Sequence, residues 1–308
     1  MSPTHFGAAY LEYPDLFPAR RAGELWGPHR IVLALPGGPY GFAGLAEVQR
    51  DAVLDRLQAY TAEDSVEPAV TCHVFRAAPS DFVEIDTRGW EYSLEFDYGP
   101  RVVRVAGMSL MGLLEWTGSL EAALFSSVED GERFYGAFEN FLRILTAYRL
   151  VERGGALVHS AGVVDRGKAH LFPGRSGSGK STLSRLSVEA GCTVLSDDLN
   201  AVTLRDGKTW VEKVPFSGDF KAQRDGASAY PLRAVFRLEK GEANALRALT
   251  RAESLAALFT CAPTVNVDPH RRDALLSNLE QMTEHLPSYA LTFTRSRSVW
   301  DLVREHTG

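Results

Sequence analysis

The spacing of apolar residues predicts a sheet in the first part of the chain. Residues 69–106 contain short runs in which apolar and polar positions alternate, with a turn at Tyr98-Gly99-Pro100. These runs are AVTCHVF, DFVEID, YSLEF and RVVRVAG. Ahead of them, Leu45 to Tyr60 carries apolar residues at helical spacing. We therefore predict a small α+β domain with an antiparallel sheet over residues 1–129.

A different pattern begins at Asp130, where apolar residues recur at three- and four-residue steps and predict a long helix. The residues are Phe134, Phe138, Phe141, Leu142, Leu145 and Tyr148. Gly154-Gly155 ends the helix, and the strands ALVHSAGVV and AHLFPG, a helix from Lys180 to about Ala190 and the strand CTVLSDD follow it. A strand, a glycine-rich loop, a helix and a strand in this order are typical of an α/β nucleotide-binding unit. Residues 130–308 are thus predicted to form the catalytic domain.

The rest of the chain alternates strands and helices. A hairpin is predicted around Asp206-Gly207, followed by the strand RAVFRLE. Thr250 and Glu253 form a capping-box pattern at the start of a helix, and a second helix follows Asp268-Pro269. The chain closes with the strand YALTFT and a short helix around Trp300.

Composition and charge exclude several classes of protein. The chain has 308 residues, of which 45% are hydrophobic, and a net charge of -6 that gives no support to nucleic-acid binding. Three widely spaced cysteines argue against a disulfide scaffold or a cysteine zinc site, and the histidines lack HxxxH or HExxH spacing. Met1 to Phe17 does not resemble a secretory signal, and the apolar stretch from Ile31 to Ala46 is broken by prolines and glycines. We expect a cytoplasmic protein with neither nucleic acid nor membrane as a partner.

The most specific motif is GRSGSGKS, which matches the phosphate-loop pattern G-x-x-x-x-G-K-[ST] and lies between a predicted strand and a predicted helix. Its glycines allow successive backbone N–H groups to face a phosphate, Lys180 would contact the β- and γ-phosphates, and Ser181 would bind Mg²⁺. A glycine-rich surface turn, the alternative, has no need for lysine and serine at these positions. The predicted ATP-binding residues are Gly174, Arg175, Ser176, Gly177, Ser178, Gly179, Lys180, Ser181 and Thr182.

Two adjacent carboxylates follow the next predicted strand, in TVLSDD. Side chains alternate along a strand, so one carboxylate can face a metal while the other faces an acceptor hydroxyl. We assign Asp197, with Ser181, to Mg²⁺ and Asp198 to the role of general base. The alternative is a solvated Asp-Asp turn.

Three segments together resemble a known family. VHSAGVV from Val158, the loop GRSGSGKST and the acidic LSDD, in this order and spacing, resemble the catalytic domain of the bacterial HPr kinase/phosphorylase superfamily. That superfamily is related in fold to ATP-dependent phosphoenolpyruvate carboxykinase, and the resemblance covers about Leu157 to Val202. It implies an active-site role for His159. Thr182 stands where the bifunctional enzymes usually have Glu, so the chain looks more like divergent members, some of which phosphorylate free serine or a serine on a peptide.

The resemblance implies an α/β fold, with a P-loop HPr-kinase/carboxykinase-like catalytic domain preceded by a smaller α+β domain. The predicted function is transfer of the γ-phosphate of ATP to a serine hydroxyl on a peptide, protein or small molecule, with Lys180, His159 and Asp198 as catalytic residues. A nucleotide-sensing module or a slow ATPase without an acceptor is the alternative. Residues 1–129 would recruit the acceptor, support the fold or form a homo-oligomer contact.

A polar stretch with Lys213, Lys221 and Arg224 could close on the phosphates or remain an ordinary solvated loop.

Overall fold

The computed structural model describes residues 24–78, 94–107, 110–216, 218, 220 and 227–308. The predicted strand DFVEID, the start of YSLEF, the segment from Met1 to Phe17, and Lys221 with Arg224 lie outside the described residues. Contacts divide the chain into two compact units, Met1–Leu145 and Thr146–Gly308. The division falls within the long helix, whereas the boundary predicted from the sequence precedes it.

The first unit is built on one sheet of eight strands. The strands are β1 (Glu24–Leu25), β2 (His29–Leu35), β3 (Gly38–Leu45), β4 (Val70–Arg76), β5 (Glu95–Tyr98), β6 (Val102–Gly107), β7 (Leu110–Trp116) and β8 (Leu120–Ser126). The helix α1 (Glu47–Leu57), with a 3-10 turn at Gln58–Tyr60, connects β3 to β4. This helical crossover joins β3 and β4 as parallel neighbours, and β4 also pairs in parallel with β8. The sheet is mixed, and the prediction of a purely antiparallel sheet is wrong.

The helix α2 (Gly131–Glu152) confirms the long periodic pattern, and its predicted apolar residues are all buried. The later helices are α3 (Lys180–Glu189), α4 (Arg251–Thr260), α5 (Arg272–Thr283) and α6 (Val299–Thr307), with a 3-10 turn at Val265–Val267. The strands of the second unit are β9 (Ala156–Asp165), β10 (Lys168–Pro173), β11 (Thr193–Ser196), β12 (Leu199–Arg205), β13 (Lys208–Glu212), β14 (Ala229–Glu239), β15 (Ala245–Ala248) and β16 (Ser288–Thr292).

Five strands of the second unit close into a ring. Antiparallel pairing joins β10 to β9, β9 to β12, β12 to β13 and β13 to β14. A parallel pairing between β14 and β10 completes the ring. Outside the ring, β16 pairs with β14, β15 pairs with β16, and β11 pairs with β9.

The predicted α/β fold, with its P-loop HPr-kinase/carboxykinase-like domain, is wrong because both units are rich in strands and the second closes a mostly antiparallel sheet. Tight hairpins impose this arrangement. Their turns at Arg166-Gly167 and Asp206-Gly207 have positive φ at both positions, which matches the twist of antiparallel strands. An α/β fold needs parallel strands joined in succession by helices, but here β9 leads to β10 and β12 to β13 without one.

Four strands of this unit end at one edge of the sheet. β10, β14 and β16 are mutually parallel, and β11 runs in the same direction as β10 because both are antiparallel to β9. In the order of the sheet, β9 and β11 lie on one side of β10, and β14 and β16 lie on the other. The segments that follow these four strands therefore converge on one edge.

Candidate functional site

The phosphate-loop segment leaves β10 and enters α3 at Lys180. None of its three glycines can be replaced without strain, and Gly177 has a φ of 75°. A Cβ atom on Gly174 would clash with the hydroxyl of Ser178, and Gly179 has a φ of 104°, a conformation that residues with a side chain rarely adopt. The loop therefore curls tightly before the helix begins.

Lys180 is nearly buried, and its side chain folds back over the loop. Its Nζ donates hydrogen bonds to the carbonyl oxygens of Gly174 at 2.8 Å and Arg175 at 3.2 Å. Burial lowers the pKa of Lys180, while the nearby carboxylates of Asp198 and Asp197 act in the opposite direction. The loop thus holds an ammonium group next to two acidic side chains.

Asp197 is 4% exposed, and both of its carboxylate oxygens accept hydrogen bonds. Oδ2 accepts one from the hydroxyl of Ser181 at 3.0 Å. Oδ1 accepts one from the backbone N–H of Gly218 at 3.1 Å and another from that of Phe220 at 3.2 Å. The carboxylate is therefore fixed against the first turn of α3.

Asp198 faces a different partner. Its Oδ1 lies 3.3 Å from Nε2 of His159, and both side chains are partly exposed. Backbone pairing holds them together, because the N–H of Ser160 donates to the carbonyl oxygen of Asp198 at 2.9 Å and Leu199 pairs with His159. The two aspartates lie at the junction of β11 and β12, which pair with successive parts of β9.

These residues share one open cavity of about 360 Å³. Its lining residues are His159, Ser176, Gly177, Gly179, Lys180, Ser181, Thr182, Asp197, Asp198 and Gly218. Of the predicted ATP-binding residues, Gly174, Arg175 and Ser178 are not among them, and neither is Lys213. All the predicted catalytic and metal-binding side chains therefore open onto the same space.

The cavity fits a nucleotide phosphate with Mg²⁺. Lys180 lines the cavity at the start of α3 and supplies an ammonium group, which favours an anion such as phosphate. Ser181 and Asp197 supply hard oxygen ligands, which Mg²⁺ prefers. Among the described residues, no group of three or more His, Cys, Asp or Glu side chains could hold a metal. Phosphate oxygens and water would supply the other ligands of a Mg²⁺ ion.

Three backbone groups that contribute to the site could not be found from the sequence. The backbone N–H groups of Gly218 and Phe220 reach Asp197 from a loop about twenty residues away. The carbonyl oxygen of Cys261 accepts a hydrogen bond from the N–H of His159 at 2.6 Å. Because backbone groups are the same in nearly every residue, the residue type does not indicate which of them will contribute to a site. Only the folded structure shows these contacts.

Comparison with known proteins changes the family assignment. No curated protein matches the chain. The model of the family described as SynChlorMet cassette protein ScmC matches residues 139–306. The resemblance to HPr kinase/phosphorylase is therefore wrong, and the roles of His159, Asp197 and Asp198 rest on their own geometry. In the part of the chain that the structure describes, no helix is long and apolar enough to cross a membrane. Because the match spans more than half of the sequence, the chain belongs to the ScmC family.

Proposed function

We propose that this protein is an ATP- and Mg²⁺-dependent phosphotransferase that moves the γ-phosphate to a serine hydroxyl on a peptide, a protein or a small molecule. One observation carries the proposal. A single cavity presents the Lys180 ammonium, the bonded pair of Ser181 and Asp197, and the pair of Asp198 and His159. A simple nucleotide-binding site has no need for the last pair.

The loop and its lysine account for binding. Backbone N–H groups of the loop and the start of α3 would hold the phosphates. Lys180 would exchange its bonds to the carbonyls of Gly174 and Arg175 for bonds to phosphate oxygens. Ser181 and Asp197 would hold Mg²⁺, which neutralises charge on the phosphates when it is bound.

Asp198 is the better candidate for the base. Asp197 is buried and its oxygens already accept three hydrogen bonds, whereas the side chain of Asp198 is 24% exposed and opens onto the cavity. The serine hydroxyl would give its proton to Asp198 while its oxygen bonds to the γ-phosphorus. The bond between that phosphorus and the bridging oxygen breaks, and ADP leaves. His159 would orient the Asp198 carboxylate through Nε2.

The proposal is tested with ATP labelled in the γ-phosphate. The full-length protein is incubated with Mg²⁺ and either free serine or serine-containing peptides encoded by neighbouring genes, and labelled species are identified by mass spectrometry. We expect phosphoserine in an acceptor. Release of ADP and phosphate with every acceptor unlabelled would instead support a slow ATPase or nucleotide sensor, and failure to bind ATP would refute the proposal.

A further inference from the structure

The loop of residues 293–298 follows β16 and lies beside the phosphate loop. β10, β14 and β16 are parallel, so the segment after β16 emerges at the same edge as the segment after β10. Side-chain contact confirms the placement. The Cζ atom of Phe293 lies 3.2 Å from the position that a Cβ atom on Gly179 would occupy. Phe293 therefore borders the phosphate loop directly.

In the order of the sheet, the polar residues of the candidate site and the Phe293 ring lie on opposite sides of β10. His159, Asp197 and Asp198 come from β9 and from the junction of β11 and β12, all on one side of β10. β14 and β16, with Phe293, lie on the other side. A triphosphate whose γ-phosphate faces Asp198 directs its nucleoside away from the acidic pair. The nucleoside would then lie towards the ends of β14 and β16.

Phe293 offers a ring surface at that position. It is partly buried against the core cluster that contains Phe172 and Trp300, and part of it stays exposed. A partly exposed aromatic ring beside a phosphate-binding loop is suited to stacking with a planar base. Two ring atoms of Phe293, Cζ at 3.2 Å and Cε1 at 3.6 Å, lie near the position that a Cβ atom on Gly179 would occupy, at the start of α3 where the phosphates would bind.

Hydrogen bonds hold the loop in place before any ligand binds. Oδ1 of Asn244 accepts a bond from the backbone N–H of Thr294 at 2.8 Å and lies 3.2 Å from its hydroxyl. Nδ2 of the same Asn244 donates to the hydroxyl of Ser298 at 3.0 Å. One side chain thus ties both ends of the loop, so little ordering entropy would be lost when a base stacks there.

We propose that Phe293 and its loop form the base-binding subsite of the nucleotide site, in which the adenine ring of ATP stacks on the Phe293 ring. This inference rests on the proposed function, because it requires a triphosphate bound in the phosphate loop. In this subsite, Phe293 is the residue that would make the protein bind a nucleotide more tightly than a polyphosphate without a base.

The test compares ATP with inorganic tripolyphosphate, which has the phosphates but no base. Affinities for both, with Mg²⁺, are measured by calorimetry for the full-length protein and for Phe293→Leu, which keeps an apolar side chain but removes the ring. We expect the variant to bind ATP about tenfold more weakly, since stacking on one aromatic residue contributes on that scale. Its affinity for tripolyphosphate should stay unchanged.

Two further variants separate stacking from support of the fold. Phe293→Tyr keeps the ring and should keep the affinity for ATP. Phe293→Trp introduces a fluorophore whose emission should change on addition of ATP and not on addition of tripolyphosphate. If Phe293→Leu loses affinity for ATP and for tripolyphosphate to a comparable extent, Phe293 only supports the phosphate loop. If the variant keeps its affinity for ATP, the base binds elsewhere. Either result overturns the subsite alone, whereas an unsubstituted protein that does not bind ATP overturns the proposed function as well.

Discussion

Asp197 and Asp198 show how environment separates two identical side chains that are adjacent in the sequence. Asp197 is buried and bonded to Ser181 and to two backbone N–H groups, whereas Asp198 lies in the cavity beside His159. The first arrangement fixes a carboxylate in place, as a metal ligand requires. The second leaves a carboxylate near a position where a hydroxyl could bind, as a base requires.

We therefore expect Asp197→Asn and Asp198→Asn to impair different properties, the first the binding of Mg²⁺-ATP and the second the rate of phosphate transfer. The first variant can still accept the two backbone hydrogen bonds but loses the charge, so it should weaken binding of Mg²⁺-ATP. The second should leave that binding nearly unchanged and slow phosphate transfer by about 10² to 10⁴. Calorimetry and single-turnover kinetics measure the two effects. Equal loss of metal affinity in both variants would contradict the division of roles.

Lys180 is the group whose removal should affect binding most directly. Lys180→Met keeps the length of the side chain but removes its cation, and we expect weaker ATP binding and a rate lower by about 10² to 10³. Lys208→Met, at an exposed position in β13, is the matched control and should change neither quantity. Wild-type affinity for ATP in Lys180→Met would show that the phosphate-loop assignment is wrong.

At the scale of single elements, the helix α4 begins where its sequence pattern predicts. The backbone N–H of Glu253 donates to the Thr250 hydroxyl at 3.3 Å, and the backbone N–H of Thr250 donates to the Glu253 carboxylate at 2.9 Å. The Glu253 carboxylate accepts hydrogen bonds from the backbone N–H of Thr250, from Arg247 and from the Thr250 hydroxyl, and these lower its pKa to about 2. The capping box is confirmed because it depends on only four neighbouring residues.

Thr250→Ala should destabilise the protein by about 1 kcal/mol, because it leaves an N–H group at the start of α4 without its side-chain acceptor. Thr260→Ala, at the other end of the same helix, is the control. Its hydroxyl donates to the carbonyl oxygens of Ala256 and Ala257 within the helix, so its loss should cost less than about 0.5 kcal/mol. Urea unfolding of both variants measures the difference, and equal costs would argue against the cap.

At the scale of the whole molecule, a buried histidine links stability to pH. His170 in β10 packs against Phe236 and Trp300, and its Nε2 lies 3.2 Å from the hydroxyl of Thr307. Burial lowers its pKa to about 4, although the nearby Asp165 carboxylate raises it. Because an unfolded histidine has a pKa of about 6.5, the unfolded state binds more protons between these values. The stability that His170 contributes therefore falls as pH decreases from about 6.5 towards 4.

By this linkage, the contribution of His170 should make the free energy of unfolding about 2 kcal/mol lower at pH 5 than at pH 7. We expect His170→Gln to reduce the pH dependence of unfolding by that amount, whatever its stability at pH 7. His306→Gln, at an exposed position on α6, is the control and should keep the wild-type dependence. Urea unfolding at both pH values provides the measurement, and identical pH dependence in His170→Gln and the wild type would refute the assignment.

The sequence by itself determined the local elements. The helix α2, the two hairpin turns with glycine, the capping box at Thr250 and the position of the loop before α3 follow from residues close together in the chain. For the same reason, the residues of the candidate site could be selected from the motifs before their geometry was known. Periodicity, turn chemistry and motif spacing all act over short distances.

Only the tertiary structure decided how the strands combine. Alternating patterns do not specify partners, so the ring closed by β10 and β14, the mixed sheet of the first unit and the pairing of β11 and β12 with β9 were not predictable from them. The same long-range pairing turns Asp197 and Asp198 to different partners and places Phe293 against Gly179. Those contacts join residues far apart in sequence, and they exist only once the sheet has closed.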